Sequence, residues 1–273
     1  MFIDADQTLM VDPEFQWGTL SGLAYYFEYI YENTRYQLNS LVSTQVPWKW
    51  EGVLHEYLNS PEPHQWQLLK GLHVFVQHDG ARGHDPTTYL KDIEILKQGI
   101  KDEPNNLRYK FYLAQSYQDA NLPEQALQAY QIRADAGGWE EERWTAQFRA
   151  AKFMEKLKKP TTDIRNAYLQ AWVSRPQRAE PLYELARYYR EQKQFETACQ
   201  FALQACQIKR PSDILFVDDS VYTWRALDEL SVAASYCPHY KEEGKKAILK
   251  LLMEQKYPDS EEARLIANLR FYK

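Results

Sequence analysis

Two spacings of apolar residues divide the chain. Up to Asp92 they come in short runs broken by turn residues, and from Ile93 onward they recur at helical period. The first run leads into Asp4-Ala5-Asp6, and Asp12-Pro13 closes the segment. In a strand, side chains alternate, so Asp4 and Asp6 would face one way. Gly22 to Thr34 is rich in aromatics and reads as either a short helix or a strand. Tyr36 to Val42 alternates as strands do. Trp48 to Leu58 is a strand candidate that runs into the pair His55-Glu56. His73 to Val76 is a further β-like run. It opens on Gln77 to Pro86, a glycine-broken loop holding His78, Asp79, Arg82 and His84. Thr87 to Gly99 begins the helical pattern. The expected organisation is a mixed α+β region over 1–92 and an all-α region over 93–273.

The helical region repeats. Leu113-Ala114, Tyr117, Ala126 and Tyr130 recur as Leu185-Ala186, Tyr189, Ala198 and Ala202; from Ala114 to Ala186 is 72 residues, twice 36. That is close to the period of tetratricopeptide helix pairs. Small residues let the paired helices approach, and the aromatic fills the space between them. An imperfect copy lies between: Glu140 to Leu157, a break at Lys158-Lys159-Pro160, then Thr162 to Val173, ended by Arg175-Pro176. A fourth pair is predicted from Val221 to Tyr236 and Lys241 to Tyr257, with Glu261 to Phe271 covering the last apolar face. The link from Arg210 to Asp219 is longer than a usual inter-repeat turn and is predicted to cross the concave face. Arg187, Tyr188 and Arg190 are the candidate groove residues, on the first helix of their pair.

Composition narrows the function classes. The chain has 273 residues with 44% hydrophobic and 26% charged content, which suits one large or two modest globular domains. A net charge of −5 argues against general nucleic-acid binding, which needs a basic face. Cys199 and Cys206 are two of only three cysteines and read as small buried residues of a reducing compartment. No basic leader and no long apolar run appears, so no membrane span is expected and a cytoplasmic location is.

Three polar clusters follow short apolar runs: Asp4/Asp6, His55/Glu56, and His78/Asp79/Arg82/His84. If those strands are neighbours, the clusters converge at one sheet edge, the pattern of a catalytic cleft. Two adjacent carboxylates repel unless a cation sits beside them. Hard oxygen ligands suit Mg²⁺ or Mn²⁺, ions that bridge to phosphates.

The order Asp4-Ala5-Asp6, then Trp48-Lys49-Trp50-Glu51-Gly52-Val53-Leu54-His55-Glu56, then His78 to Pro86 resembles the second half of a family 2 glycosyltransferase domain of the GT-A type. More narrowly, it resembles those glycosyltransferases whose GT-A domain is followed by tetratricopeptide repeats. The resemblance continues through Tyr112 to Tyr117, Glu180 to Tyr189 and Trp224 to Leu230. It implies a remnant of a GT-A α/β domain followed by a tetratricopeptide-like helical solenoid. It also implies a metal-dependent, inverting sugar transfer from a nucleotide-sugar donor to a hydroxyl or protein acceptor. Asp4 and Asp6 then match the Asp-x-Asp motif that holds Mn²⁺ or Mg²⁺ on the donor diphosphate. His55-Glu56 matches the acidic motif, with Glu56 as general base. Either His78 or His84 is a late metal ligand, and Asp79 and Arg82 are further cleft candidates. The family's nucleotide-binding half, roughly 80–100 residues, has no counterpart here. The implied protein is therefore the C-terminal part of an enzyme, inactive alone or completed by another chain. The alternative is a non-catalytic tetratricopeptide module that recruits a partner protein or associates with itself through the repeats.

Overall fold

The computed structural model describes residues 1–18, 20–62, 64–77, 85 and 87–272. The predicted site residues His78, Asp79, Arg82 and His84 lie outside the described residues. The fold divides into two compact units. The first is Met1–Leu157 with Ile214–Val217, and the second is Lys158–Asp213 with Asp218–Lys273.

The first unit begins with strands β1 (Gln7–Val11), β2 (Ala24–Tyr31), β3 (Thr34–Val42), β4 (Lys49–Glu51), β5 (Tyr57–Asn59) and β6 (Trp66–Val76), and takes in β7 (Val217–Asp218) through Val217. The main sheet has the order β1-β6-β2-β3-β7, and β4 pairs only with β5. The aromatic run at Gly22–Thr34 resolves as strand because alternate residues Tyr25, Phe27 and Tyr29 are buried. Phe27 and Tyr29 pack with Leu72 and Val74 of β6 into one apolar face.

The sheet corrects the α/β expectation. β1 pairs antiparallel with β6 and β2 antiparallel with β3, while β2 runs parallel to β6. Among the described residues no helix precedes Thr88, so no crossover helix joins these strands, as a nucleotide-binding α/β sheet requires. Asp4 and Asp6 also sit otherwise than predicted. They precede β1, in and beside a turn, rather than ending a strand. The Asp4 carboxylate accepts a hydrogen bond from Gln7 Nε2 at 2.8 Å, which closes that turn. The single strand expected at Trp48–Leu58 is instead the β4–β5 pair. Gly52 at φ +118° and His55 at φ +52° bend the connection, and His55-Glu56 lies in it.

Helices α1 (Thr88–Asp102), α2 (Leu107–Asp119), α3 (Pro123–Asp135) and α4 (Glu140–Lys156) complete the first unit. Asn106 caps α2 by accepting from Tyr109 N, and Pro123 opens α3, where its missing N–H costs nothing. Ala114, Ala126 and Tyr130 are fully buried where the two helices meet. Arg133 of α3, 0% exposed, joins Glu142 of α4 through Nε at 2.7 Å and Nη2 at 2.6 Å.

The second unit holds α5 (Thr161–Ser174), α6 (Glu180–Glu191), α7 (Phe195–Gln207), a π-turn (Val221–Arg225) running into α8 (Ala226–Ala234), then α9 (Lys241–Glu254) and α10 (Asp259–Asn268). Ala186, Ala198 and Ala202 again fill the α6–α7 contact. Left-handed residues mark three of the turns between successive helices: Asn121 at φ +54°, Lys158 at +52° and Lys193 at +59°. Lys158 and Lys193 follow Asn121 by 37 and 72 residues, the repeat read in its turns. Asn tolerates this conformation, whereas Lys meets a Cβ clash there. Lys193→Gly is therefore expected to stabilise the protein by about 0.5–1 kcal/mol. The check is the urea midpoint at unchanged slope; a lower midpoint would refute the strain argument.

Candidate functional site

In the first unit, a cluster of arginines and aromatic rings is built on α2 and α4. Arg108 and Tyr112 stand four apart on α2 and so share a face. The Arg108 guanidinium lies over the Tyr112 ring at 4.8 Å and over the Tyr57 ring at 4.9 Å. Its Nε and Nη2 donate to the His55 carbonyl at 3.2 and 2.9 Å. The His55 ring stacks on Tyr112 at 4.0 Å and 12°. The bent loop that carries His55 is held by Val53 N donating to Tyr109 Oη at 3.2 Å and by the buried side chain of Leu54.

Arg149 of α4 lies over Phe216 at 4.8 Å and over Phe111 and Tyr130 at 5.8 Å each. Its Nη1 donates to Tyr130 Oη at 2.9 Å. Among the described residues, neither Arg108 nor Arg149 meets a carboxylate at ion-pair distance; their partners are a carbonyl, a hydroxyl and ring faces. Burial, the largest influence, and the Glu142 carboxylate push the Tyr112 hydroxyl above its ordinary pKa, while the charges of Arg108 and Arg149 pull it back. Both cations thus bear on one hydroxyl.

The second unit arranges similar residues differently. Arg190 makes a bidentate pair with Glu229 at 2.6 and 3.0 Å, and Arg264 makes one with Asp228 at 2.8 and 3.0 Å. Arg187 bridges Glu184 at 2.7 Å and Glu191 at 3.0 Å. The predicted groove residue Tyr188 is buried, with its hydroxyl 3.0 Å from Thr161 Oγ1. At 36-residue spacing it falls beside the aromatic packing position, which turns it inward. A pocket of about 320 Å³ opens beside Ser231, Ser235, Tyr236, Asn268 and Phe271.

Asp4 is exposed and engaged with Gln7, and Asp6 is half-buried before β1. Glu56 is exposed next to β5, and His55 is turned onto α2. Among the described residues no group of three or more His, Cys, Asp or Glu side chains is placed to hold a metal ion. No described helix is long and apolar enough to cross a membrane. Sequence reading missed Arg108, Tyr112, Glu141, Arg149 and Phe216. The available signal was the i, i+4 placing of Arg108 and Tyr112 on a first helix.

No protein-family profile matches the chain, and no curated protein matches it. Among solved structures it is similar to the C-terminal part of a tetratricopeptide repeat-containing protein from Cytophaga hutchinsonii, with 15% identity and a TM-score of 0.51 over 67% of this chain and 67% of that one. A tetratricopeptide repeat protein from Parabacteroides merdae has 17% identity and a TM-score of 0.49 over 69% and 70% of the two chains. MamA from Desulfovibrio magneticus has 13% identity and a TM-score of 0.47 over 63% and 88%. The Cytophaga likeness carries the fold, a tetratricopeptide-like helical solenoid, to which this chain adds a small N-terminal sheet. It also overturns the glycosyltransferase resemblance, because the likeness is to helical repeats and the sheet lacks GT-A topology. The sugar-transfer reading built on that resemblance goes with it.

Proposed function

We propose that the chain is a non-catalytic tetratricopeptide-type interaction module that holds an acidic stretch of a partner polypeptide on the α2–α4 face of its first unit. One observation carries this reading. Arg108 and Arg149, from consecutive first helices, are held flat against aromatic rings without a carboxylate partner among the described residues. A guanidinium fixed on rings has already lost its rotamer freedom, so its remaining N–H groups receive a carboxylate at little further entropic cost. Among the described residues, the second unit holds no ring-backed arginine without a carboxylate. An acidic ligand at Arg190 or Arg264 would have to displace Glu229 or Asp228, exchanging one ion pair for another. Concave helical-repeat faces bind extended segments and helices, which fits a polypeptide ligand. With a net charge of −5 the recognition is local, not long-range steering.

The test is fluorescence anisotropy with labelled decapeptides rich in Asp and Glu, against Asn/Gln counterparts. The acidic peptides are expected to bind at least about tenfold more tightly, and Arg108→Gln/Arg149→Gln to abolish the difference. Affinity should fall with added salt. Equal binding by the wild-type chain and the double variant would refute the assignment.

A further inference from the structure

Residues 214–217 belong to the first unit, where a bend at Leu215 leads into β7 and the segment meets α4, α2 and β3. The contacts are those of a bound peptide. Ile214 N and Leu215 N both donate to Glu141 Oε2 at 2.8 Å. Gln37 N donates to the Ile214 carbonyl at 2.9 Å, and β7 takes the sheet edge beside β3. One side chain is gripped: the Phe216 ring stacks on Phe111 at 6.5 Å and 17°, meets Tyr36 at 5.4 Å and lies under the Arg149 guanidinium at 4.8 Å. Main-chain pairing along a strand edge with one anchored side chain is how extended peptides are recognised. None of these contacts requires the segment to belong to the same chain.

The resident fits imperfectly. Phe216 sits at φ +48°, a left-handed conformation that penalises a residue with a Cβ, and strain of this kind gathers at functional positions. Its ring is only half-buried, whereas Val217 beside it is fully buried, so leaving the seat forfeits part of the ring contact and the whole of the Val217 contact.

We propose that the seat formed by Glu141, Arg149, Phe111, Tyr36 and the β3 edge is a binding site for an extended partner segment with an aromatic anchor. Ile214–Val217 fills it in cis as an exchangeable occupant. This rests on the reading of the first unit as a peptide-binding surface and adds the ligand's anchor residue and its resident competitor. Glu141 selects a main chain with two consecutive free amides, which excludes proline at either position. Arg149 and Phe111 select an aromatic ring one residue further on.

The experiment uses the full chain and a labelled peptide with the sequence of residues 211–219, Pro-Ser-Asp-Ile-Leu-Phe-Val-Asp-Asp, beside a control with alanine for phenylalanine. Phe216→Ala empties the aromatic part of the seat and leaves the resident held by its main chain and Val217. The phenylalanine peptide is expected to bind this variant at least tenfold more tightly than the wild-type chain, while the control gains nothing. Adding Glu141→Gln should remove most of the gain. Equal binding of the phenylalanine peptide to both proteins, or none to a folded Phe216→Ala chain, overturns the proposal. A measurement on the wild-type chain covers a variant that fails to fold. The Ile214 and Leu215 amides are expected to exchange hydrogen at least a hundredfold faster than the Ala150 and Ala151 amides of α4, through local opening. Equal protection overturns exchangeability. If acidic peptides still bind through Arg108 and Arg149 but phenylalanine brings no gain, this inference falls and the general reading stands. Loss of the arginine-dependent binding fells that reading itself.

Discussion

Arg178→Met is expected to destabilise the second unit by about 3–5 kcal/mol, the usual result of leaving a buried charge without its counter-ion. Arg178 is 0% exposed. Its Nε and Nη2 reach Glu180 at 2.7–3.0 Å, and its Nη1 reaches Asp213 at 3.2 Å. The loss falls mainly on Glu180. Asp213 keeps Arg175, which grips it bidentately at 2.6 and 2.6 Å. Glu180 keeps only neutral donors, the Asp218 amide at 3.3 Å and the Tyr222 hydroxyl at 2.6 Å. Arg178→Lys should recover part of the stability, since it keeps the charge but loses the fork. Urea unfolding followed by circular dichroism reads both variants; a cost under about 1 kcal/mol for Arg178→Met would place the network among the dispensable ones.

Acid supplies a second reading of the same network. Burial alone would raise the pKa of Asp213, but the hydrogen bond from Arg175 and the charges of Arg178 and Arg175 outweigh it and hold the carboxyl below its ordinary value. A depressed native pKa contributes stability above the unfolded value of about 3.9, and that contribution is lost as pH falls through the native value. Asp218 runs the other way. Burial, partly offset by Ser220 and Arg225, raises it, so its contribution is present in acid and lost as pH rises through its native value. Removing Arg178 weakens the hold on Asp213. The acid-unfolding midpoint of Arg178→Met is therefore expected at higher pH than that of the wild-type chain.

How much was legible follows from which contacts are local. The helix pairs were readable because close helix packing demands small residues at fixed spacing, and Ala114, Ala126, Ala186 and Ala198 answer that demand. The strands were readable in part, since alternation identifies a strand without saying where it starts. Asp4 and Asp6 failed on that point: hydrogen bonds with Gln7 close a turn on Asp4 before β1 begins, and Asp6 lies within that turn. Trp48 to Leu58 failed because a left-handed residue such as His55 leaves no mark in an apolar pattern. The motif resemblance joined three short polar strings, each common by chance, and nothing in them carried topology. The aromatic seat was beyond reach for another reason. Phe216 meets Arg149 across 67 residues of chain and Tyr36 across 180, and no local period encodes such pairings.

Arg133→Met should cost about 3–5 kcal/mol at neutral pH, and Glu142→Leu added to it should restore at least half. The pair is buried, with Arg133 Nε and Nη2 on Glu142 Oε1 at 2.7 and 2.6 Å. Burial, the dominant influence, already raises the Glu142 pKa above its ordinary value, and Arg133 pulls it back. Without Arg133 only the neutral form is tolerable, so the single variant is expected to lose less stability as pH falls from 7 towards 5. The native pKa is raised, so its contribution is present in acid and disappears as pH rises through it. The double variant has no charge left at this site to protonate, so its loss relative to wild type should not shrink as pH falls over that range. Recovery will be incomplete in either case. Arg133 Nη1 also donates to the Gly137 carbonyl at 2.8 Å, and neither replacement supplies that donor. A pH-independent loss in Arg133→Met, with no rescue by Glu142→Leu, would mean that the arginine stem's packing against α2–α4, rather than its charge, holds the turn between α3 and α4.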